Sequence, residues 1–235
     1  MCSVFRFKQF EVDQGNCAMK INTDGVLLGG STFFSEAKRI LDIGTGTGVI
    51  ALMLAQSHPN AHVDAVEIEE DAWRQAGINF RNSEFTERLA VHLGSFEHFQ
   101  PEFAYDLIVS NPPFYTNSLH NPDKRRRLAK HTDISFFEKL FSFVSQYLTD
   151  DGQLKLILPT VLANDEIAPI LSHYKLYVQT EMAISSFAEE PPIRKIWGIG
   201  KKVVPLEKHT FDIYAARGVY TDAYKELLQP YFLAF

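Results

Sequence analysis

The sequence predicts an α/β fold, a mostly parallel sheet with helices on both faces. Two observations predict it. Short apolar runs of strand length alternate with longer runs of helical period along most of the chain, which is how a parallel sheet with covering helices reads. A glycine-rich stretch, Gly44-Thr45-Gly46-Thr47-Gly48, falls between a buried strand and a helix, and open α/β sheets bind ligands beyond the carboxyl ends of their strands. The chain has 235 residues, 46% of them hydrophobic. That is enough to bury the core of one such domain and short for two.

Taken in order, Arg39–Ile43 reads as the first strand and Val49–Ser57 as a helix that ends near Pro59. His62–Glu67 is the second strand, Glu70–Asn82 the second helix, Leu89–Leu93 the third strand and Tyr105–Ser110 the fourth. Ile134–Tyr147 reads as a helix with its aromatics on one face. Asp150-Asp151-Gly152 is a turn, and Gln153–Leu158 a fifth strand. Ile193–Ile199 and His209–Ala215 read as two closing strands joined by a polar loop. The expected architecture is a seven-stranded mixed sheet in one domain over 1–235, with a short N-terminal cap (1–35) ahead of the core (36–235).

Composition removes several function classes. The net charge is -6, so a protein that lived on bulk phosphate contacts is not indicated, and any nucleic-acid contact must come from a local basic patch. Cys2 and Cys17 do not make a disulfide framework, and no Cys-x-x-Cys pair suggests zinc, so no metal is expected. No signal peptide opens the chain, and no apolar run reaches the ~18 residues of a membrane span. A cytoplasmic protein with no membrane partner is the expectation.

The glycine loop excludes two common ligand classes by spacing. A dinucleotide loop needs a third glycine at position 49, which is Val49. No Gly-Lys-Ser/Thr follows, so it is not a phosphate-binding P-loop. Glu67 ends the second strand about twenty residues past the glycines, where a carboxylate can accept both ribose hydroxyls of a nucleoside. Asp42-x-Gly44-x-Gly46-x-Gly48 together with Glu67 resembles the S-adenosyl-L-methionine site of class I methyltransferases, a Rossmann-like fold. The resemblance implies cofactor contacts at Asp42, Gly44, Thr45, Gly46, Gly48, Glu67 and Ile68. It also points to Ser95, in Gly94-Ser95-Phe96, where many members carry Asp.

The fourth strand runs into Ser110-Asn111-Pro112-Pro113-Phe114. An aromatic amine delocalises its lone pair into the ring and is a poor nucleophile. Two acceptors placed on its two N–H groups can localise that lone pair and aim it at a methyl group. The Asn111 side-chain oxygen is one candidate acceptor and the Pro112 carbonyl the other. Pro112 and Pro113 stiffen the loop. Phe114 offers a face on which a base can stack, worth about 1–3 kcal/mol. At this place the motif resembles the amino-methyltransferases that act on adenine N6, guanine N2 or a glutamine amide.

The N-terminal segment narrows the choice. Phe7-Lys8-Gln9-Phe10-x-Val12 and Cys17-Ala18-Met19-Lys20-Ile21-x-Thr23-Asp24-Gly25-Val26-Leu27-Leu28-Gly29 resemble the opening signature of the bacterial tRNA1(Val) adenine-37 N6-methyltransferase family. Further matching stretches extend the resemblance over nearly the whole chain. It implies a tRNA substrate, and it places Lys20 and Asp24 close to the cofactor or the target base. Lys124, Arg125, Arg126, Arg127 and Lys130, with His131, form the densest positive run, and so are the candidate phosphate contacts around a splayed-out base. Arg194, Lys195, Lys201 and Lys202, around Trp197, read as the two ends of an edge hairpin. The alternatives are ribosomal-RNA guanine-N2 methylation, glutamine methylation of a release factor, and a non-catalytic RNA-binding module. A monomer is expected.

Overall fold

The computed structural model describes residues 4–15, 17, 19–112 and 122–235, with the backbone alone for 122–133. Strands β1 (Val4–Arg6) and β2 (Glu11–Asp13) pair as an antiparallel hairpin. Helix α1 (Thr23–Ser31) follows, with Asn22 as its N-cap; the Asn22 side chain accepts the Gly25 N–H at 2.8 Å. The N-terminal cap is thus a hairpin and a helix. Next come β3 (Arg39–Ile43), α2 (Val49–Ser57), β4 (His62–Glu67), α3 (Glu70–Arg81), β5 (Leu89–Leu93) and β6 (Tyr105–Ser110). They are followed by α4 (Pro122–Tyr147), β7 (Leu148–Pro159) and two short helical turns, α5 (Thr160–Leu162) and α6 (Ala168–Leu171). The chain continues with β8 (Tyr177–Ser185), β9 (Arg194–Gly200), β10 (Glu207–Asp212), the hairpin strands β11 (Tyr214–Ala216) and β12 (Val219–Tyr220), and α7 (Asp222–Leu228).

The main sheet runs β10-β8-β9-β7-β6-β3-β4-β5. β9 is antiparallel to both its neighbours and every other pair is parallel. Strand alternation divides the core. Ile40, Leu107, Val109 and Ile157 pack with Leu27 and Leu28 of α1 and Leu52 and Met53 of α2. Leu41, Ile108, Leu154 and Leu156 pack on the other face with Phe137, Leu140, Phe141 and Val144 of α4. Each such side chain contributes about 1.5–3 kcal/mol through burial. A central parallel strand covered on both faces therefore reads as an unbroken apolar run, as Ile40–Ile43 does around its one carboxylate.

The structure differs from the sequence-based expectation in five places, one of them a break at Ile213 that divides the expected His209–Ala215 strand into β10 of the main sheet and β11 of a separate hairpin. The sheet has eight strands, one more than expected, because β8 carries Gln179, Thr180 and Glu181 and does not look like a strand. Glu181 is nonetheless satisfied inside the sheet, accepting from Lys195 Nζ at 2.7 Å and Trp197 Nε1 at 2.9 Å. β8 separates β9 from β10, so the two closing strands form no hairpin, and β10 instead joins β8 in parallel. The Asp150–Gly152 turn is absorbed as a bulge within β7, between the Tyr105–Leu148 and Leu107–Gln153 pairs. Helix α4 begins at Pro122 rather than Ile134, since the charged stretch before Ile134 has no apolar period to mark it.

Candidate active site

The order of strands reverses between β3 and β6, with β4 and β5 on one side and β7 on the other. The carboxyl ends of β3 and β6 therefore open a crevice at the topological switch point. The loop from β3 to α2 fills its floor. Gly44, Gly46 and Gly48 all have positive φ, at 75°, 57° and 83°, a region that side chains with a Cβ enter at a cost. A Cβ at Gly44 or Gly46 would meet no atom within 4 Å, so the space above the loop is open. A Cβ at Gly48 would lie 2.6 Å from the Phe80 ring, so that glycine serves the packing of α2 on α3.

Two carboxylates frame the loop. Asp42 is fully buried, and its Oδ2 accepts from Thr45 Oγ1 at 2.6 Å. Its Oδ1 is buried with no partner of normal hydrogen-bond geometry. Burial pushes its pKa up to about 7; the Thr45 hydroxyl opposes this, Glu67 adds to it, and the Ala51 N–H opposes it weakly. Glu67 ends β4. Its Oε2 accepts from the Gly46 N–H at 2.8 Å and its Oε1 from the Glu69 N–H at 2.9 Å. A carboxylate has lone pairs to spare beyond these two bonds. Ile68, next along, is 65% exposed, an unusual position for an apolar side chain. After β5, Gly94 has φ 141° and donates to the Glu67 carbonyl at 2.8 Å, and the Ser95 hydroxyl accepts from the Glu97 N–H at 3.3 Å. Ser95 therefore caps the short turn Phe96–His98.

On the other side of the crevice, Ser110 is buried and its Oγ donates to the Ile43 carbonyl at 2.9 Å, tying β6 to β3. Asn111 and Pro112 follow immediately, so the loop they begin leaves the sheet beside the glycine loop. The start of α1 lies against them: a Cβ at Gly25 would sit 3.6 Å from Asn111 Nδ2. Asp24, one residue earlier, accepts from Arg194 Nε at 2.8 Å. Lys20 Nζ donates to the Gln14 carbonyl. Pro113 and Phe114 lie outside the described residues. The backbone at Lys124, Arg125, Arg126, Arg127, Lys130 and His131 is helical within α4, and their side chains are outside the described set.

Three residues near the crevice are not legible as such in the sequence. Arg194 and Lys195 looked like the end of an edge hairpin. The structure places them on an interior strand, with Arg194 paired to Asp24 and Lys195 to Glu181, while Lys202 pairs with Asp151 and Lys201 donates to the Leu148 carbonyl at 2.6 Å. Asn79, almost fully buried in α3, donates to the carbonyls of Thr47 at 2.8 Å and Asp13 at 3.0 Å and accepts the Asp13 N–H at 3.0 Å. It clamps the glycine loop to β2. The available signal was a carboxamide on the apolar side of a helix, which must find partners when buried.

An open floor of glycines, a strand-end carboxylate beside it and an amide at the next strand end define a class I, Rossmann-like methyltransferase architecture. Residues 26–182 match the family model of the methyltransferase small domain. The chain is 51% identical over its whole length to the tRNA1(Val) (adenine(37)-N6)-methyltransferase of Pedobacter heparinus, with all of that protein covered. It is 40% identical, over 97% of each chain, to the tRNA1(Val) (adenine(37)-N6)-methyltransferase of Bacteroides thetaiotaomicron. A predicted O-methyltransferase from Agrobacterium tumefaciens shares the fold at a TM-score of 0.70 and 19% identity, covering 88% of this chain and 96% of that one. The chain belongs to the methyltransferase small-domain family and, within it, to the tRNA1(Val) (adenine(37)-N6)-methyltransferases. Its cofactor is S-adenosylmethionine, and the open loop, the spare acceptor capacity of Glu67 and the unpaired Asp42 Oδ1 fit that molecule. Among the described residues, no helix is long and apolar enough to cross a membrane, and no group of His, Cys, Asp and Glu is placed to hold a metal ion.

Proposed function

We propose that the protein transfers a methyl group from S-adenosylmethionine to the exocyclic N6 of an adenosine in tRNA, the adenosine 3′ of the anticodon of a valine tRNA. The observation that carries this reading is the position of Asn111. It stands at the end of β6, hydrogen-bonded through Ser110 to the strand that leads into the glycine loop, so an amine held by Asn111 lies at the switch point where the cofactor binds. The full-length likeness to relatives named for this reaction selects the base.

Glu67 accepts from the cofactor's ribose hydroxyls, Gly44, Thr45, Gly46 and Gly48 approach it through the main chain, and Ile68 and Ser95 flank its base. Asp42 holds the loop through Thr45. When bound, the cofactor supplies an activated methyl group. The Asn111 side-chain oxygen and the Pro112 carbonyl accept the two N–H groups of adenine N6, which localises the nitrogen lone pair and orients it for in-line attack. Pro113 stiffens the loop and Phe114 stacks on the base. The proton leaves to water after transfer. Asp24, held by Arg194, fixes the start of α1 against Asn111, and Lys20 lies close to the cofactor or the target base. Lys124, Arg125, Arg126, Arg127 and Lys130 contact phosphates. The protein acts as a cytoplasmic monomer without a metal.

The test is mass spectrometry of nucleosides after incubation with isotopically labelled cofactor and bulk tRNA from a host that lacks this modification. Labelled N6-methyladenosine is the expected product. Labelled N2-methylguanosine would overturn the base. Absence of label in tRNA, with the cofactor still bound, would overturn the substrate.

A further inference from the structure

A second aromatic surface lies on the same edge of the sheet as Asn111. The carboxyl ends of β6, β7, β8 and β10 and the start of β9 share this edge, because Ser110 pairs with Leu156, Pro159 with Arg194, Ile184 with Arg194, and Asp212 with Ser185. Past β8 and β10 the chain forms two loops that are tied together. The Ile213 N–H donates to the Ser185 carbonyl at 3.1 Å and the Tyr214 N–H to the Ser186 carbonyl at 2.9 Å. Phe187, Tyr214, Arg217, Gly218 and Tyr220 line a cavity of about 310 Å³ there.

The cavity has a rigid aromatic wall. Phe187 lies 5.7 Å from Tyr214, Tyr214 stacks on Tyr220 at 5.1 Å, and Tyr220 stacks on Tyr224 at 4.4 Å with the rings within 7° of parallel. Tyr224 is buried and anchors the column in the core of α7. Phe187, Tyr214 and Tyr220 are only half-buried, so the column ends in exposed ring surface rather than in packing. Gly218 sits at the turn with φ 76°, and no atom lies within 4 Å of where its Cβ would be, which leaves the mouth open. Arg217 is exposed, and among the described residues no carboxylate pairs with it. Glu189 and Glu190 follow Phe187 but do not line the cavity.

Flat rings beside an unpaired guanidinium match one ligand chemistry: a nucleotide with its base unstacked, whose π-face stacks on aromatics and whose phosphate pairs with arginine. We propose that an unpaired base flanking the methylated adenosine binds in this pocket, stacked against Phe187 and Tyr214, with its phosphate on Arg217. The pocket is not the target site. It lies four strand spacings from the end of β6, about 19 Å. It gives the protein a second hold on a single-stranded loop, which an acidic chain needs. The inference rests on the reading that the substrate is RNA.

The test is equilibrium binding of an unmodified valine-tRNA anticodon stem-loop by fluorescence anisotropy. Phe187→Ala, Phe187→Leu and Arg217→Ala are compared with the unaltered protein, with cofactor affinity and thermal unfolding as controls. Each is expected to weaken RNA binding about tenfold and to leave cofactor affinity unchanged. Arg217 is exposed, so its variant carries no folding risk. A series of stem-loops with one abasic position each then identifies the base. One loop position other than the target adenosine should weaken the unaltered protein about tenfold and weaken Phe187→Leu no further. Normal RNA affinity in all three variants, or no abasic position coupled to Phe187, overturns the pocket while N6-methylation by the unaltered protein stands. If the unaltered protein neither binds the stem-loop nor methylates it, both readings fall.

Discussion

The two halves of the sheet solve the same problem by different means. On the cofactor side, β3, β4 and β5 are held mainly by apolar burial, with one polar cluster where Asp64 accepts from Tyr105 at 2.8 Å and meets His92 at 3.4 Å, and their strand ends present main-chain groups and a few carboxylates to the crevice. On the substrate side, β7, β8, β9 and β10 carry polar side chains inside the sheet itself. Glu181 bonds Lys195 and Trp197 there, and Lys155 donates to Thr180 Oγ1 at 3.2 Å. Burial pushes the Lys155 ammonium down to about 8. Burial alone would raise the Glu181 carboxyl, but its bonds to Lys195 and Trp197 outweigh that and hold it below its ordinary value. Local sequence sets the first half, where a glycine's φ is needed wherever it falls. Tertiary pairing sets the second, where a polar residue becomes a core residue only once its partner is in place.

The largest effect that bears on this contrast is expected at Glu181. Glu181→Ala leaves Lys195 mostly buried with its carboxylate removed, which should cost about 3–5 kcal/mol of stability in a denaturant titration. A loss well below 1 kcal/mol would mean that the substrate-side strands rest on apolar packing after all. Asn111→Ala comes next. It removes one acceptor from the amine and should lower kcat about 10²–10³-fold, with cofactor affinity within about twofold. An equal fall in cofactor affinity would show that the two halves are not separable at Asn111.

The same contrast explains what was legible before the structure. Val49–Ser57 and Tyr105–Ser110 were placed to the residue, since an apolar run bounded by glycine or proline needs no partner to be recognised. The glycine loop, Glu67 and Asn111 could be placed at strand ends for the same reason. β8 could not. Its Gln179-Thr180-Glu181 centre reads as a solvated loop until Lys195 and Trp197 are set beside it, and those residues lie fourteen and sixteen positions further on. The pairing of Asp24 with Arg194 spans 170 positions, and no local pattern announces it. The clamp formed by Asn79 on Thr47 and Asp13 was hidden in the same way.

Within the cofactor side, the glycines themselves divide into two kinds. Gly44→Ala and Gly48→Ala both force a Cβ into positive φ, which costs about 1–2 kcal/mol. Gly48→Ala also drives that Cβ against the buried Phe80 ring and should lose about 1–3 kcal/mol more from overpacking. Gly44→Ala meets nothing in the protein, so its loss should fall on cofactor affinity, measured by calorimetry. Equal unfolding midpoints for the two variants would show that α3 yields to the intrusion.

The smallest effect per unit of change is a pH dependence, and it isolates Asp42, the carboxylate that burial perturbs within β3. Burial raises the Asp42 pKa to about 7 from an ordinary 3.8. Below pH 4 both folded and unfolded chains hold the proton, so Asp42 carries no penalty. Between about 4 and 7 the unfolded chain releases the proton freely and the folded chain does not. Stability from this group therefore falls as pH rises, by at most about 1.4 kcal/mol per pH unit. Above pH 7 both states are ionised and the loss is constant. Asp42→Asn keeps an acceptor for Thr45 and cannot ionise, so it should remove this component of the slope in denaturant titrations between pH 4.5 and about 6.5. A slope unchanged by Asp42→Asn would mean that the carboxylate is solvated or paired in solution and that Oδ1 is not the unpaired atom of the loop. A slope removed in the free protein and already absent in the unaltered protein with cofactor bound would tie Oδ1 to the ligand, because a donor supplied to the ionised carboxylate lowers its pKa back toward the ordinary value.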